Sequence, residues 1–179
     1  SEATPAEQKY DKWELDFLCD YIVNTHHAYV SEAIPLILSY TSKVAQVHGH
    51  AHPAVIEINN LFIGVAEELN LHMIKEERIL FPYIKNVCKA SRGNEQIPKP
   101  TFGTVLHPIQ MMESEHETVG KILKEIAILS NNYTPPEWAC NTFKALYAKL
   151  DEFEQDLHLH VHLENNILFP KAIELEKII

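Results

Sequence analysis

The sequence predicts an all-α protein, an antiparallel up-down-up-down bundle of four helices. Three observations predict it. Apolar residues recur at a 3.6-residue period over four long stretches. No segment alternates apolar and polar residues as a half-buried strand would. The links are short and carry Pro, Gly and Asn, which favours antiparallel neighbours.

The first helix is expected from about Glu14 to His48, with Pro35 kinking or dividing it. Its stripe holds Val23, His27, Val30, Ile34, Ile37 and Thr41. The string HGHAHP, residues 48–53, breaks the pattern, and Pro53 suits the first turn of a second helix. That helix carries Val55, Ile58, Leu61, Phe62, Val65, Leu69, His72, Glu76 and Ile79 on one stripe. It is expected to end near Pro82 or a few residues later, and residues 89–104, KASRGNEQIPKPTFGT, read as a loop. The third helix is expected from Pro108 to Leu129, with His116 among Ile109, Met112, Val119, Leu123 and Ile126. NNYTPP, residues 131–136, reads as a turn, with Thr134 as N-cap and Pro135 opening a fourth helix that runs to about Phe169.

The chain of 179 residues is 46% hydrophobic, which suits one domain over residues 1–179, with 1–13 a flexible start. A net charge of −10 repels phosphate backbones and argues against nucleic acid as a partner. No apolar run reaches membrane-spanning length. The opening SEATPAEQKYDKWE lacks an apolar segment, so no signal peptide is expected. Three scattered cysteines, Cys19, Cys88 and Cys140, make no disulfide framework and are expected as buried thiols in a reducing, cytoplasmic setting.

One frame is spelled twice. HMIKEERILFP runs from His72 to Pro82, and HVHLENNILFP from His160 to Pro170. Residues four apart share a helix face, so His72 pairs with Glu76 and His160 with Glu164. One such pair on a surface would be ordinary. A carboxylate in an apolar stripe, however, is costly unless it is paired or binds metal. Depth then tests the idea. His72 and His160 each lie ten residues before the closing proline, His116 eight after Pro108, and His27 thirteen after Glu14. At about 1.5 Å rise per residue, all four fall at one level, ~12–20 Å from the same end of the bundle. Six donors are too many for a closed tetrahedral zinc site. They suit two metals bridged by carboxylates, with iron or manganese favoured by imidazole and carboxylate ligands.

The remaining histidines serve as controls. His48 is ~31 Å from His27 along a straight helix, with His50 and His52 in the turn beside it. His158 and His162 are expected to face away from His160, and His26 lies one step off the stripe. His107 is expected at a helix start.

The strings HHAYV, EAIP, KVAQVHG, ELNLHMIKEERILFP, MMESEHE, PPEWAC and HLENNILFP resemble the haemerythrin-like domain of the repair-of-iron-centres proteins, over about residues 14–172. The resemblance implies a non-haem centre of two iron ions, oxo- and carboxylate-bridged, with manganese or zinc less suited. It carries the ligands over to His27, His72, Glu76, His116, His160 and Glu164, and it adds acidic residues beside the site at Glu68 and Glu115. It also implies action on iron–sulfur proteins damaged by nitric oxide or peroxide. Full-length relatives carry an N-terminal domain with a Cys-Cys pair, which this sequence does not show. Oxygen-carrying haemerythrins place a second histidine one turn on from the first in helix 3, where this chain has Gly120. Three functions follow as expectations: a stress-response protein that donates iron to damaged clusters, a di-iron enzyme reducing nitric oxide or peroxide, or a module that senses or stores oxygen or iron.

Overall fold

The computed structural model describes residues 9–93 and 95–179 and is helical in four long runs, with no strand among the described residues. Run α1 covers 15–48, α2 covers 54–93, α3 is Leu106–Leu129, and α4 covers 141–177. The all-α class stands as expected. No helix among the described residues is long and apolar enough to cross a membrane.

Three of the four runs are not uniform α-helix. A π-helical turn interrupts α1 at Ile22–His27, α2 at Glu76–Leu80 and α4 at Leu163–Leu168. The hydrogen bonds show the register: the Phe81 N–H donates to the Glu76 carbonyl and the Phe169 N–H to the Glu164 carbonyl, each five residues back. The core pattern explains the need. Buried positions recur at steps of four: Leu18, Ile22, His26, Val30 and Ile34 in α1, His72 to Cys88 by way of Glu76, Leu80 and Ile84 in α2, and His160, Glu164, Leu168 and Ala172 in α4. In an α-helix each four-residue step overshoots a full turn by about 40°. Sustained, that drift would carry the apolar residues out of the core, and a wider turn cancels it. In α3 the buried positions Ile109, Met112, His116, Val119, Leu123 and Ile126 mix steps of three and four, and no π-turn occurs.

This geometry corrects several expected boundaries. Pro82 does not end α2, which continues to Gly93, so the expected loop at 89–104 begins only after Gly93. Its residue Asn94 lies outside the described residues. Likewise α4 passes Pro170 and ends at Lys177. Ile79 leaves the apolar stripe and is 52% exposed, because the π-turn advances Leu80 into its place. Pro35 does not divide α1, since Ala28–His48 is continuous α-helix around it. The fourth helix begins at Asn141 rather than Pro135. The preceding residues are spent on a left-handed stretch, with φ of 52°, 54° and 60° at Asn131, Asn132 and Tyr133, and on a turn in which the Ala139 N–H donates to the Pro136 carbonyl at 3.0 Å.

The chain forms two compact units. The first comprises the described residues of Ser1–His27, His72–Ser114 and Leu159–Ile179. Its core gathers Leu18, Ile22, Leu80, Phe81, Ile84, Ile109, Met112, Leu168 and Phe169. Of the expected flexible start, residues 1–8 lie outside the described residues, while Tyr10 and Trp13 pack against that core. Arg92 pairs with Glu14 and Asp16, Lys85 with Asp20 and Lys171 with Asp11 around the rim. Glu176 ties three segments together. Its carboxylate accepts hydrogen bonds from the Tyr83 hydroxyl at 2.7 Å, from the Val105 N–H at 2.9 Å and from the Thr104 hydroxyl. A carboxylate thus caps the start of α3, where free N–H groups and the helix dipole favour negative charge. His107 sits in the first turn there, as expected, its Nδ1 2.8 Å from the Phe102 carbonyl.

The second unit comprises Ala28–Leu71 and Glu115–His158. Its core is built on Ile37, Ile58, Phe62, Phe143, Tyr147 and Phe153, with Phe62 edge-on to Phe153 at 5.5 Å. Gly49 turns the chain out of α1. A Cβ there would lie 2.4 Å from the Ala45 carbonyl oxygen and 2.6 Å from Ile56, so no larger residue fits without movement.

Candidate metal centre

The π-turns fall on the expected ligands. His27 is the last residue of the turn in α1, Glu76 the first of the turn in α2, and Glu164 the second of the turn in α4. Departures from α-geometry of this kind are frequent at functional sites. All of these side chains are buried, and Glu76 and Glu164 are 0% exposed.

Within the first unit the donors converge. His72 Nε2 lies 2.6 Å from Glu76 Oε1, and His160 Nε2 lies 3.0 Å from Glu164 Oε1. His27 Nε2 lies 3.6 Å from Glu76 Oε1. One donor atom each from His27, Glu76, His160 and Glu164 lie within 4.8 Å of one another, and the same holds for His72, Glu76 and Glu164. Both carboxylates therefore belong to both groups. His116 lies on α3 in the second unit and is 8% exposed.

Several polar atoms of this cluster lack a hydrogen bond of good geometry. Both nitrogens of His27, both of His160 and both carboxylate oxygens of Glu76 are buried without a hydrogen bond. Buried polar groups ordinarily find partners, and an orphaned carboxylate is among the costlier exceptions. A cation fits these donors: imidazole nitrogen and carboxylate oxygen, with no thiolate among them. The electrostatics agree. Burial pushes the His27 imidazole down, but the Glu76, Glu164 and Glu77 carboxylates outweigh it and hold it above its ordinary value. Such a concentration of negative charge favours any cation that enters. Cys19, buried nearby, behaves oppositely: burial pushes its thiol well above the ordinary range, so it stays a neutral core residue.

Comparison with known proteins now bears on the site. Residues 20–172 match the family model described as the haemerythrin HHE cation-binding domain. The chain is also 36% identical over 171 residues to the iron–sulfur cluster repair protein YtfE of Yersinia pseudotuberculosis serotype IB (strain PB1/+), covering 96% of this chain and 72% of that protein. The YtfE of Yersinia pestis (strain Pestoides F) matches with the same identity and coverage. This chain is a haemerythrin HHE protein of the iron–sulfur cluster repair family.

In this haemerythrin domain some residues depart from the sequence reading. His26, expected off the stripe, is 2% exposed and stacks on His160, with ring centroids 5.5 Å apart at 24°. A π-turn spreads more residues over each turn, which lets His26 and His27 both face inward. Glu77 was missed altogether. Its carboxylate lies 3.4 Å from His27 Nδ1, within ion-pair distance though without hydrogen-bond geometry. Glu68 is exposed and Glu115 half-buried. His48 meets other partners: its Nε2 is 3.4 Å from Cys140 Sγ and its ring packs on Trp138 and Phe143. His50 is exposed, and His52 packs on the same two rings. His158 is exposed, and His162 is half-buried with its Nδ1 2.6 Å from Asn166 Nδ2. Cys19 and Cys88 are buried as expected, but Cys140 is exposed, because it lies in the turn before α4.

Proposed function

We propose that this haemerythrin protein holds two iron ions and donates iron to damaged iron–sulfur proteins in the cytoplasm. The observation that supports the metal reading is the sharing of Glu76 and Glu164 between both donor groups at full burial. His27 and His160 would serve one ion, and His72, with His116 proposed as its companion, the other. Glu77 would orient His27, while Glu68 and Glu115 would add negative charge near the histidines that follow them. When bound, iron supplies one-electron redox chemistry and a transferable ion. The protein's own part is to hold these donors buried, exclude water from them and keep a net negative field.

The donation reading rests on the YtfE relatives, whose name describes cluster repair. The test loads the protein with iron, mixes it with an iron–sulfur protein whose cluster nitric oxide has destroyed, and follows recovery of cluster absorbance. Recovery in step with iron lost from this protein is expected. Steady consumption of nitric oxide or peroxide without iron transfer would make it an enzyme instead. A stable adduct with neither would make it a sensor.

A further inference from the structure

We infer that Pro82 and Pro170 are positioning residues for Glu76 and Glu164, each locking the π-turn that holds its glutamate in the first two positions. The inference rests on the reading of those glutamates as metal ligands. The geometry is the same in both frames. The last π-type donor is the N–H of Phe81 or Phe169, which reaches the glutamate carbonyl five residues back. The next residue is Pro82 or Pro170, which has no N–H to offer. In an unbroken α-register the Phe81 N–H would move to the carbonyl of Glu77, and the Pro82 ring would press on the carbonyl of Arg78. At Pro170 the pressed carbonyl would belong to Asn166. A wider turn relieves that clash and spends the missing donor where the register changes. The proline thus penalises the α-alternative more than the π-form.

That choice of register matters to the site. With the π-turn, the His–Glu pair and the following Leu80, Phe81 and Ile84 are all buried. Without it, the segment after the glutamate would rotate by most of an α-helical residue step, about 100°. Either the core or the carboxylate would then leave its place. Two internal comparisons sharpen the assignment. Pro35 sits within α-helix, so proline alone does not widen a turn. The turn at Ile22–His27 contains no proline, so a π-turn does not require one. The two repeated frames share a proline placed one residue after the donor that reaches a buried glutamate. Both rings are exposed, so they contribute little to core packing.

The experiment replaces each proline by alanine in the full chain, with Pro35→Ala as control. It measures iron(II) affinity by anaerobic titration against a competing chelator. It also measures melting of the metal-free protein, which a merely structural role would lower. Pro82→Ala and Pro170→Ala are each expected to weaken iron binding on the order of tenfold or more, the scale of lost supporting contacts at metal sites. Their metal-free forms are expected to melt no lower than the parent, and Pro35→Ala is expected to bind as the parent does. Unchanged affinity in both variants overturns the inference. So does a loss of affinity that merely follows a fall in metal-free melting temperature. If the parent itself binds no iron, the metal reading fails first, and the parent titration shows which of the two has failed.

Discussion

Glu76→Gln tests whether the buried cluster is built for a cation at the expense of the empty fold. The substitution keeps shape and removes one charge. Glu76 and Glu164 each place an oxygen in a set confined to 4.8 Å. Two negative charges at that separation repel by about 3.5 kcal/mol at an effective dielectric constant of about 20. The change also weakens the 2.6 Å contact with His72, which lacks hydrogen-bond geometry and so counts for at most the about 1.5–3 kcal/mol of a charged hydrogen bond. The difference favours the metal-free variant by about 1 kcal/mol, or roughly 2–4 °C in melting temperature for a chain of this size. With metal the order should reverse. A ligand at one hundred times its Kd stabilises by about 2.7 kcal/mol, and a hundredfold loss of affinity would leave about 0.4 kcal/mol. Melting curves by circular dichroism, taken in chelator and then with excess iron(II), should therefore cross. A variant that melts several degrees below the parent in chelator, or that gains as much from iron as the parent does, would refute the reasoning.

The other predictions concern separate parts of the molecule. His27→Leu should change the absorption spectrum of the iron-loaded protein, while His48→Leu, at a residue that contacts Cys140, Trp138 and Phe143, should leave it intact. Glu176→Gln should cost about 1.5–3 kcal/mol in urea unfolding at pH 7, as charged hydrogen bonds are lost. Burial raises the Glu176 carboxyl, but Thr104, Tyr83 and the Val105 N–H together hold it below its ordinary value. Its stabilisation is therefore full above the unfolded carboxyl's pKa of about 4.3 and lost as pH falls through the lower folded value, and the Gln variant should lack that acid-side loss. Tyr147→Phe should be neutral or stabilising by up to about 1–3 kcal/mol, because the Tyr147 hydroxyl is buried without a hydrogen bond. The shift of the urea midpoint reads it directly.

Much of the fold could be read because periodicity and punctuation are local. The four runs, the start of α1 near Leu15, its end at His48 and the end of α3 at Leu129 follow from apolar stripes and breakers. The grouping of His27, His72, Glu76, His160 and Glu164 follows from helical rise and from the four-residue spacing that puts each Glu on the face of its His. What escaped was register. Proline usually stops a helix, but at Pro82 and Pro170 a wider turn precedes it and the helix continues. Yet the signal is in the sequence: apolar and ligand positions stepping by four without a compensating three, as in His72, Glu76, Leu80 and Ile84. The same change of register puts Ile79 outside and His26 inside. Glu77 and Glu176 were out of reach for another reason. Each acts on a residue far along the chain, and no spacing rule links Glu77 to His27 or Glu176 to Val105.

The π-turns also bear on how long this chain needs to be. Each turn in α1, α2 and α4 holds about one residue more than an α-helix would use to join the same buried positions. Removing Arg78, for example, would bring Leu80 within three residues of Glu76, a spacing that an ordinary α-helix satisfies on the same face. Deleting a residue from a helix normally turns everything beyond it away from the core. At these three places the wider turn absorbs the extra residue, and each turn carries a buried histidine or glutamate. Chain length in these helices is therefore tied to where the buried histidines and glutamates stand as well as to the register of the core.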